Sequence, residues 1–197
     1  KLHGGAFGSR GGYRPSKEEL EAENIEAVAT GAATNLDRHI RNMAGFGVPV
    51  IVSINKFISD TDGEIKALSD AAHASGAKAV TITEVHAKGG EGGEDLAKAV
   101  VKAVQDHVAA GRPFTPLFVD DAPIMEKVEA IATRMYKAKD VYVETAAKKQ
   151  LDRIISWGYG NLPVCMAKTQ YSFSHDAGKL GAPSDFTLPI REFRLNS

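Results

Sequence analysis

From Val48 to Ile54 the chain runs apolar and mostly β-branched, with only Ser53 polar, and it turns polar at Asn55. A continuous run of this kind reads as a buried strand of a parallel sheet. The loop Asn55–Thr61 then lies at a strand's carboxyl end, where open α/β sheets hold their ligands. Helix signals surround this strand. Ser16-Lys17-Glu18-Glu19 is a capping box that opens a helix to about Thr30, with Gly31 as its stop. Asn35 is expected to cap a second helix, Leu36–Ala44, which Gly45 and Gly47 end. Thr61-Asp62-Gly63-Glu64 is another capping box. Its helix carries Ile65, Leu68, Ala71 and Ala72 on one face and stops at Gly76. A strand at Ala79–Thr83 and a loop at Glu84–Gly93 follow. The next helix, Glu94 to Ala110, has apolar residues at Leu96, Val100, Val101, Val104 and Val108. Helix, strand, loop, helix, strand, loop, helix is a βαβ grammar, and it predicts a parallel sheet with a right-handed crossover.

Beyond Gly111 the character changes. Phe114–Val119 reads as extended, with Pro113 just before it and Pro116 inside it. Helices are predicted at Pro123–Tyr136 and Thr145–Trp157. Strands are predicted at Val141–Val143, at Leu162–Ala167 (buried) and at Phe186–Phe193, with a turn at Gly181–Ser184. The expected division is a Gly-rich loop at 1–15, an α/β region at 16–112 and a smaller α/β region at 113–197. The fold class is α/β, a largely parallel sheet flanked by helices.

Composition narrows the classes. With 197 residues, 43% of them hydrophobic, the chain can bury a substantial core. A net charge of −1 gives no global basic field for nucleic acid or an anionic membrane, and neither is expected as a partner. The single cysteine, Cys165, excludes a disulfide framework and fits a cytoplasmic protein; its place in an apolar strand predicts a buried, inert thiol. There is no apolar run long enough to span a bilayer and no signal-peptide pattern. The chain opens at Lys1 without Met, and it is expected to be either an internal stretch of a longer polypeptide or a deliberately trimmed one.

Candidate chemistry concentrates in the loops. Asn55-Lys56 invites comparison with the Asn-Lys-x-Asp base-reading loop of GTPases, but position 58 is Ile and the acid arrives only at Asp60. That spacing excludes guanine readout by this motif. Phe57 is either a core ring or a stacking platform for a flat ligand. Asp60 and Thr61 read as helix-start residues. Gly89-Gly90-Glu91-Gly92-Gly93 could let backbone approach a ligand closely. Its central Glu91 and the lack of a following Gly-Lys-Ser/Thr favour a hinge or lid over a phosphate nest. No acid, His or Cys stands at metal spacing around His86, so a metal site is not expected there. No catalytic triad is legible, and the catalytic residues stay unassigned. Lys168, just after a predicted strand, is either a surface lysine or a cation for a phosphate or carboxylate.

Taken together these loops resemble the formate–tetrahydrofolate ligases. The likeness is carried by Lys1–Gly5, Asn35-Leu36 with Arg38-His39, Phe46–Val50, Asn55-Lys56-Phe57 with Asp60-Thr61, Ala87–Gly93, the long run Gly158–Ser174, and Gly181-Ala182-Pro183. These stretches occur in the family's order and cover nearly the whole chain. The resemblance implies a P-loop NTPase-like three-layer architecture, here partial. It implies ligation of formate to tetrahydrofolate with ATP, through formyl phosphate, in a cytoplasmic homo-oligomer. It implies Mg²⁺ on the nucleotide and a monovalent cation as activator. Phe57 falls where the family places one face of a pterin sandwich, with Ile58 in place of a common Pro. His86 stands where the second face is usually Trp. Gly181, Ala182, Pro183 and Ser184 match a turn that lines the family's adenine pocket. Lys168, Gln170, Gly89 and Gly90 are expected near the active cleft. The family's P-loop is not in this stretch, so the chain alone is expected to be inactive. A noncatalytic folate- or nucleotide-binding module, or a structural α/β domain, is the alternative.

Overall fold

The computed structural model describes residues 16–167 and 172–196. The chain forms two compact units, Lys1–Thr115 and Pro116–Ser197, each with its own two-stranded parallel sheet.

In the first unit, Ser16 caps α1 (Lys17–Glu21) through the expected reciprocal box with Glu19. The chain then breaks and restarts at Asn24, whose side chain accepts from the Ala27 N–H and caps α2 (Ile25–Gly31). Gly31 does not end the helix, and Asn35 does not cap a new one. The backbone passes through a π-helical turn at Ala32–Leu36 and continues as α3 (Asp37–Ala44). Gly31, Ala32 and Asn35 are all buried there, and the turn packs against α4 (Asp62–Ala74). Tertiary packing keeps helical two residues that local propensity marks as stops.

Strand β1 is Ile51–Asn55, and Val48–Val50 lead into it, with the Val50 carbonyl accepting from the Lys78 N–H at 2.7 Å. It pairs in parallel with β2 (Ala79–Thr83), in register from Ile51↔Ala79 to Asn55↔Thr83. Helix α4 makes the crossover between them. The core beneath is Ile40, Ala72 and Ala77, with Val50, Val52 and Val80 packed on it. Only Ile54 of β1 is buried, and among the described residues this sheet has two strands, so both are edges. Helix α6 (Glu94–Ala109) packs on β2 and buries Ala103. Val101, Val104 and Val108, which the pattern marks as apolar, stay exposed. Phe114 stacks on Phe46 at 5.6 Å between ring centres, and the Thr115 N–H donates to the Phe46 carbonyl, so 114–115 belong to this unit.

The second unit holds α7 (Ile124–Ala130), a π-helical turn at Ile131–Met135, β3 (Asp140–Val143), α8 (Thr145–Ser156) and β4 (Thr187–Ile190). β3 and β4 pair in parallel from Asp140↔Thr187 to Val143↔Ile190. One core cluster gathers Tyr136, Phe173, Phe186 and Leu188; a second gathers Ile124, Val128, Leu151 and Ile154. The predicted buried strand at Leu162–Ala167 is not one. That segment lies outside the ladders and is mostly exposed, and Cys165 is exposed with it. Met166 and Val164 still touch the cores, so the run's alternate residues are anchored while its backbone is unpaired.

Lys127 is the least expected feature of this unit. Its side chain is buried, 1% exposed, on α7. The ammonium donates to the carbonyls of Asp120 (2.5 Å), Asn161 (2.7 Å) and Leu162 (3.3 Å), and lies 5.6 Å from the Phe118 ring centre. A buried charge is tolerated where its donors are all used and its neighbours carry partial negative charge. Here one cation ties two loops to a helix. Lys127→Met leaves those carbonyls without their donor and should lower the unfolding free energy by about 2 kcal/mol. Urea denaturation measures this; an unchanged midpoint would contradict it.

Candidate functional site

The carboxyl ends of β1 and β2 are locked together before their loops begin. The Lys56 N–H donates to the Thr83 carbonyl at 2.9 Å, which extends the ladder one step beyond β1. Ser53 and Thr83 share a hydroxyl hydrogen bond of 3.0 Å, and Thr83 Oγ1 also donates to the Ile54 carbonyl at 3.3 Å. Thr83 is buried, so these bonds are shielded. The two loops therefore leave from a fixed base.

The first loop is closed on itself. Asp60 accepts from the Phe57 N–H at 2.8 Å through its carboxylate, and the Asp60 N–H returns to the Phe57 carbonyl at 3.0 Å. Asp60 thus clasps the loop, and Thr61 alone is the helix cap, accepting from the Glu64 N–H. Glu64 does not complete the predicted box. Its side chain is buried and instead accepts from the Asn24 N–H, tying α4 to the start of α2. The clasp holds Phe57 outward, 55% exposed, and Ile58 fully exposed at the tip. Within this unit Phe57 is not part of the core.

The second loop departs from Thr83 into α5 (Val85–Lys88), which carries His86 on its exposed surface. Gly89–Gly93 is a 3₁₀ turn. The Glu84 N–H donates to the Gly92 carbonyl at 3.0 Å. A Cβ on Gly92 would come within 2.5 Å of the Glu84 backbone, so glycine is needed there for close approach rather than for flexibility. Gly89 and Gly90 are exposed, and a Cβ on either would meet nothing within 4 Å. Gly89 alone of these two has a positive φ, of 60°.

Charge alternates along this rim. The Lys88 ammonium hydrogen-bonded to Glu84 holds that carboxyl below its ordinary range, with Lys56 adding to the effect. The same bond raises Lys88, and Glu91 adds to it. For Glu84 the lowered value means that the pair's contribution is present above the ordinary carboxylate range and is lost as pH falls through the folded value. For Lys88 the raised value means that it is lost only as pH rises through the folded ammonium value. The pair is intact through neutral pH.

Beside Phe57 lies a cavity of about 790 Å³, lined among others by Val28, His39, Asn55, Asp60 and Leu68. Its size suits a small organic molecule, and its walls are mostly apolar with a few polar groups. His86 is not among its lining residues. Asn35, His39 and Glu64 also line it and were not singled out as site residues. Their only sequence signal was that Asn35 and His39 fall in stretches that resemble the family. Among the described residues no cluster of His, Cys, Asp and Glu could hold a metal ion, and no helix is long and apolar enough to cross a membrane.

The other expected site residues lie in the second unit. Gly181, with φ 75°, forms a parallel bridge with Ser172 and accepts from the Phe173 N–H at 3.2 Å. Ala182 packs on the core, while Pro183 is partly and Ser184 largely exposed. Lys168 and Gln170 lie outside the described residues.

The family model for formate–tetrahydrofolate ligase matches residues 1–197. The chain belongs to the formate–tetrahydrofolate ligase family. It is 48% identical over 181 residues, 92% of its length, to a formate–tetrahydrofolate ligase of Maricaulis maris. It is 44% identical over all 197 residues to one of Granulibacter bethesdensis. In both comparisons it spans about a third (32%) of the relative's length. The family likeness therefore includes both strand-end loops, the 3₁₀ turn and the Gly181 turn.

Gly92→Ala should displace the Gly89–Gly93 turn and lower stability by about 1–3 kcal/mol, since a backbone contact must open. Gly90→Ala should change it by less than about 0.5 kcal/mol. Thermal unfolding of both variants checks this; equal effects would contradict the assigned role of Gly92.

Proposed function

We propose that this chain supplies the folate-binding part of a formate–tetrahydrofolate ligase, which joins formate to tetrahydrofolate at the expense of ATP by way of formyl phosphate. The observation that carries the reading is Phe57. A clasped loop holds its aromatic face exposed at the carboxyl end of β1, next to a cavity of suitable size, in a chain of this family. A pterin is flat and aromatic, and offset stacking on a ring held in advance costs little ordering entropy. In this reading His86, carried from the neighbouring strand end, offers a second, smaller stacking face. Ile58 covers the edge of the ring system. Gly89 and Gly90 leave room beside it.

Gly181, Ala182, Pro183 and Ser184 are proposed to meet the nucleotide base, with Lys168 and Gln170 near the cleft. ATP brings Mg²⁺ on its phosphates. No described cluster of this chain offers that ion a ligand set. A monovalent activating cation, a homo-oligomer and a cytoplasmic setting belong to the same reading. The chemistry asked of these residues is positioning: the folate amine is held against an activated formyl group and away from water. The chain contains no Gly-x-x-x-x-Gly-Lys-Ser/Thr. Phosphoryl transfer therefore needs residues from elsewhere in the family's polypeptide, and this chain by itself should bind folate without turnover.

Calorimetric titration with tetrahydrofolate tests the reading. Phe57→Ala should weaken binding about tenfold, the equivalent of one lost stacking contact. His86→Trp should tighten it, because indole covers more of a flat ligand than imidazole does. Stability should not change in either variant, since both side chains are exposed. Wild-type affinity in Phe57→Ala would contradict the proposal.

A further inference from the structure

The loop that carries Phe57 is anchored at both ends. Its first residue, Lys56, is fixed to β2 by the N–H bond to the Thr83 carbonyl, and its last, Thr61, is fixed to α4 as the cap. Between these anchors a single residue holds the ring's backbone. The Phe57 N–H donates to Asp60 Oδ2 at 2.8 Å, and the Phe57 carbonyl accepts from the Asp60 N–H at 3.0 Å. Among the described residues the Ile58 and Ser59 N–H groups donate to nothing. Phe57 belongs to none of the core clusters, so burial does little to fix it. These bonds run between residues of one short loop and the elements that bound it. No polypeptide beyond this chain is needed to make them.

The two bonds to Asp60 differ in strength. The bond from the Asp60 N–H closes a β-turn over 57–60, whose central residues, Ile58 and Ser59, have no positive φ. Such a bond is dispensable to a turn, since many β-turns lack it. The bond to the Asp60 carboxylate is charge-assisted and is the stronger of the two. Without it the direction of the ring rests on the turn alone. A ligand that needs one ring orientation then binds only the fraction of molecules that hold it, and its apparent affinity falls by that fraction.

We infer that Asp60 is a positioning residue of the folate site, which acts on affinity through the orientation of Phe57 and not by touching the pterin. The inference rests on the proposed stacking of the pterin on Phe57. Asp60 also lines the cavity beside the ring, so direct contact with the ligand is the competing role. The two roles differ in a measurable way. A direct contact contributes whether or not the ring is present. A positioning residue contributes nothing once the ring is removed, and its loss costs no more than the loss of the ring itself.

Amide hydrogen exchange and calorimetric titration with tetrahydrofolate, on the same variants of this chain, test the role. Asp60→Ala should speed exchange of the Phe57 amide by about tenfold. It should weaken binding about fivefold, less than the effect of Phe57→Ala. Asp60→Asn, whose amide oxygen accepts the same bond, should bind within about twofold of the unaltered chain. Added to Phe57→Ala, Asp60→Ala should cause no further loss beyond about 1.5-fold. Exchange of α4 amides reports that each variant is folded. Unaltered affinity or unaltered Phe57 exchange in folded Asp60→Ala would overturn the inference. So would a further fivefold loss in the Phe57→Ala background (about the full single-variant effect), by making Asp60 a ligand contact. A loss in Phe57→Ala without one in Asp60→Ala overturns this inference and leaves the folate reading standing. No binding by the unaltered chain overturns both.

Discussion

The structure of the first unit depends on one short ladder. Five residue pairs of β1 and β2 hold the strands in register, and the Ser53–Thr83 hydroxyl pair fixes their carboxyl ends. A two-stranded parallel sheet is a weak element by itself, because slanted ladder bonds and two open edges leave it dependent on what packs against it. Helices α3 and α4 supply that packing through Ile40 and Ala72. Glu64 then draws α2 onto α4 by accepting from Asn24. Every proposed folate contact is downstream of this base. Phe57 stands two residues past the paired Asn55, and His86 three past the paired Thr83.

Rigidity and exposure divide the work at the site. The Asp60 clasp and the Glu84–Gly92 bond make both loops ordered without burying their tips. A ring held outward at fixed position is a poor contributor to a core and a good platform for a ligand. The same distinction holds at Lys127 in the second unit, where burial is accepted so that one ammonium can serve several carbonyls. In both places polar groups set the positions of loops, and apolar burial supports the elements beneath them.

Much of the fold was legible because its periodic segments are long or sharply bounded. β2 lies at the predicted residues, and α4, α6 and α8 begin where their signals place them. The misreadings share a cause. Gly31 and Asn35 carry local stop signals, yet packing against α4 keeps them helical. Leu162–Ala167 carries a strand's composition, but a strand needs a neighbour, and none of the described residues supplies one. The exposure of Cys165 follows from that. Gly92 read as freedom where the geometry shows close contact. At the site, residue chemistry alone left Phe57 open between core and platform, and in this chain the ring lies outside the core clusters. Asn35, His39 and Glu64 were invisible as cavity residues, because only the fold brings α2, α3 and α4 around β1.

The joined carboxyl ends of β1 and β2 are proposed to form a ligand platform. A crystal structure of this chain with tetrahydrofolate tests it most directly. The pterin ring should be stacked on Phe57 in van der Waals contact, with the remainder of the molecule leaving over the strand ends. A pterin bound elsewhere, with Phe57 still bare, would contradict it.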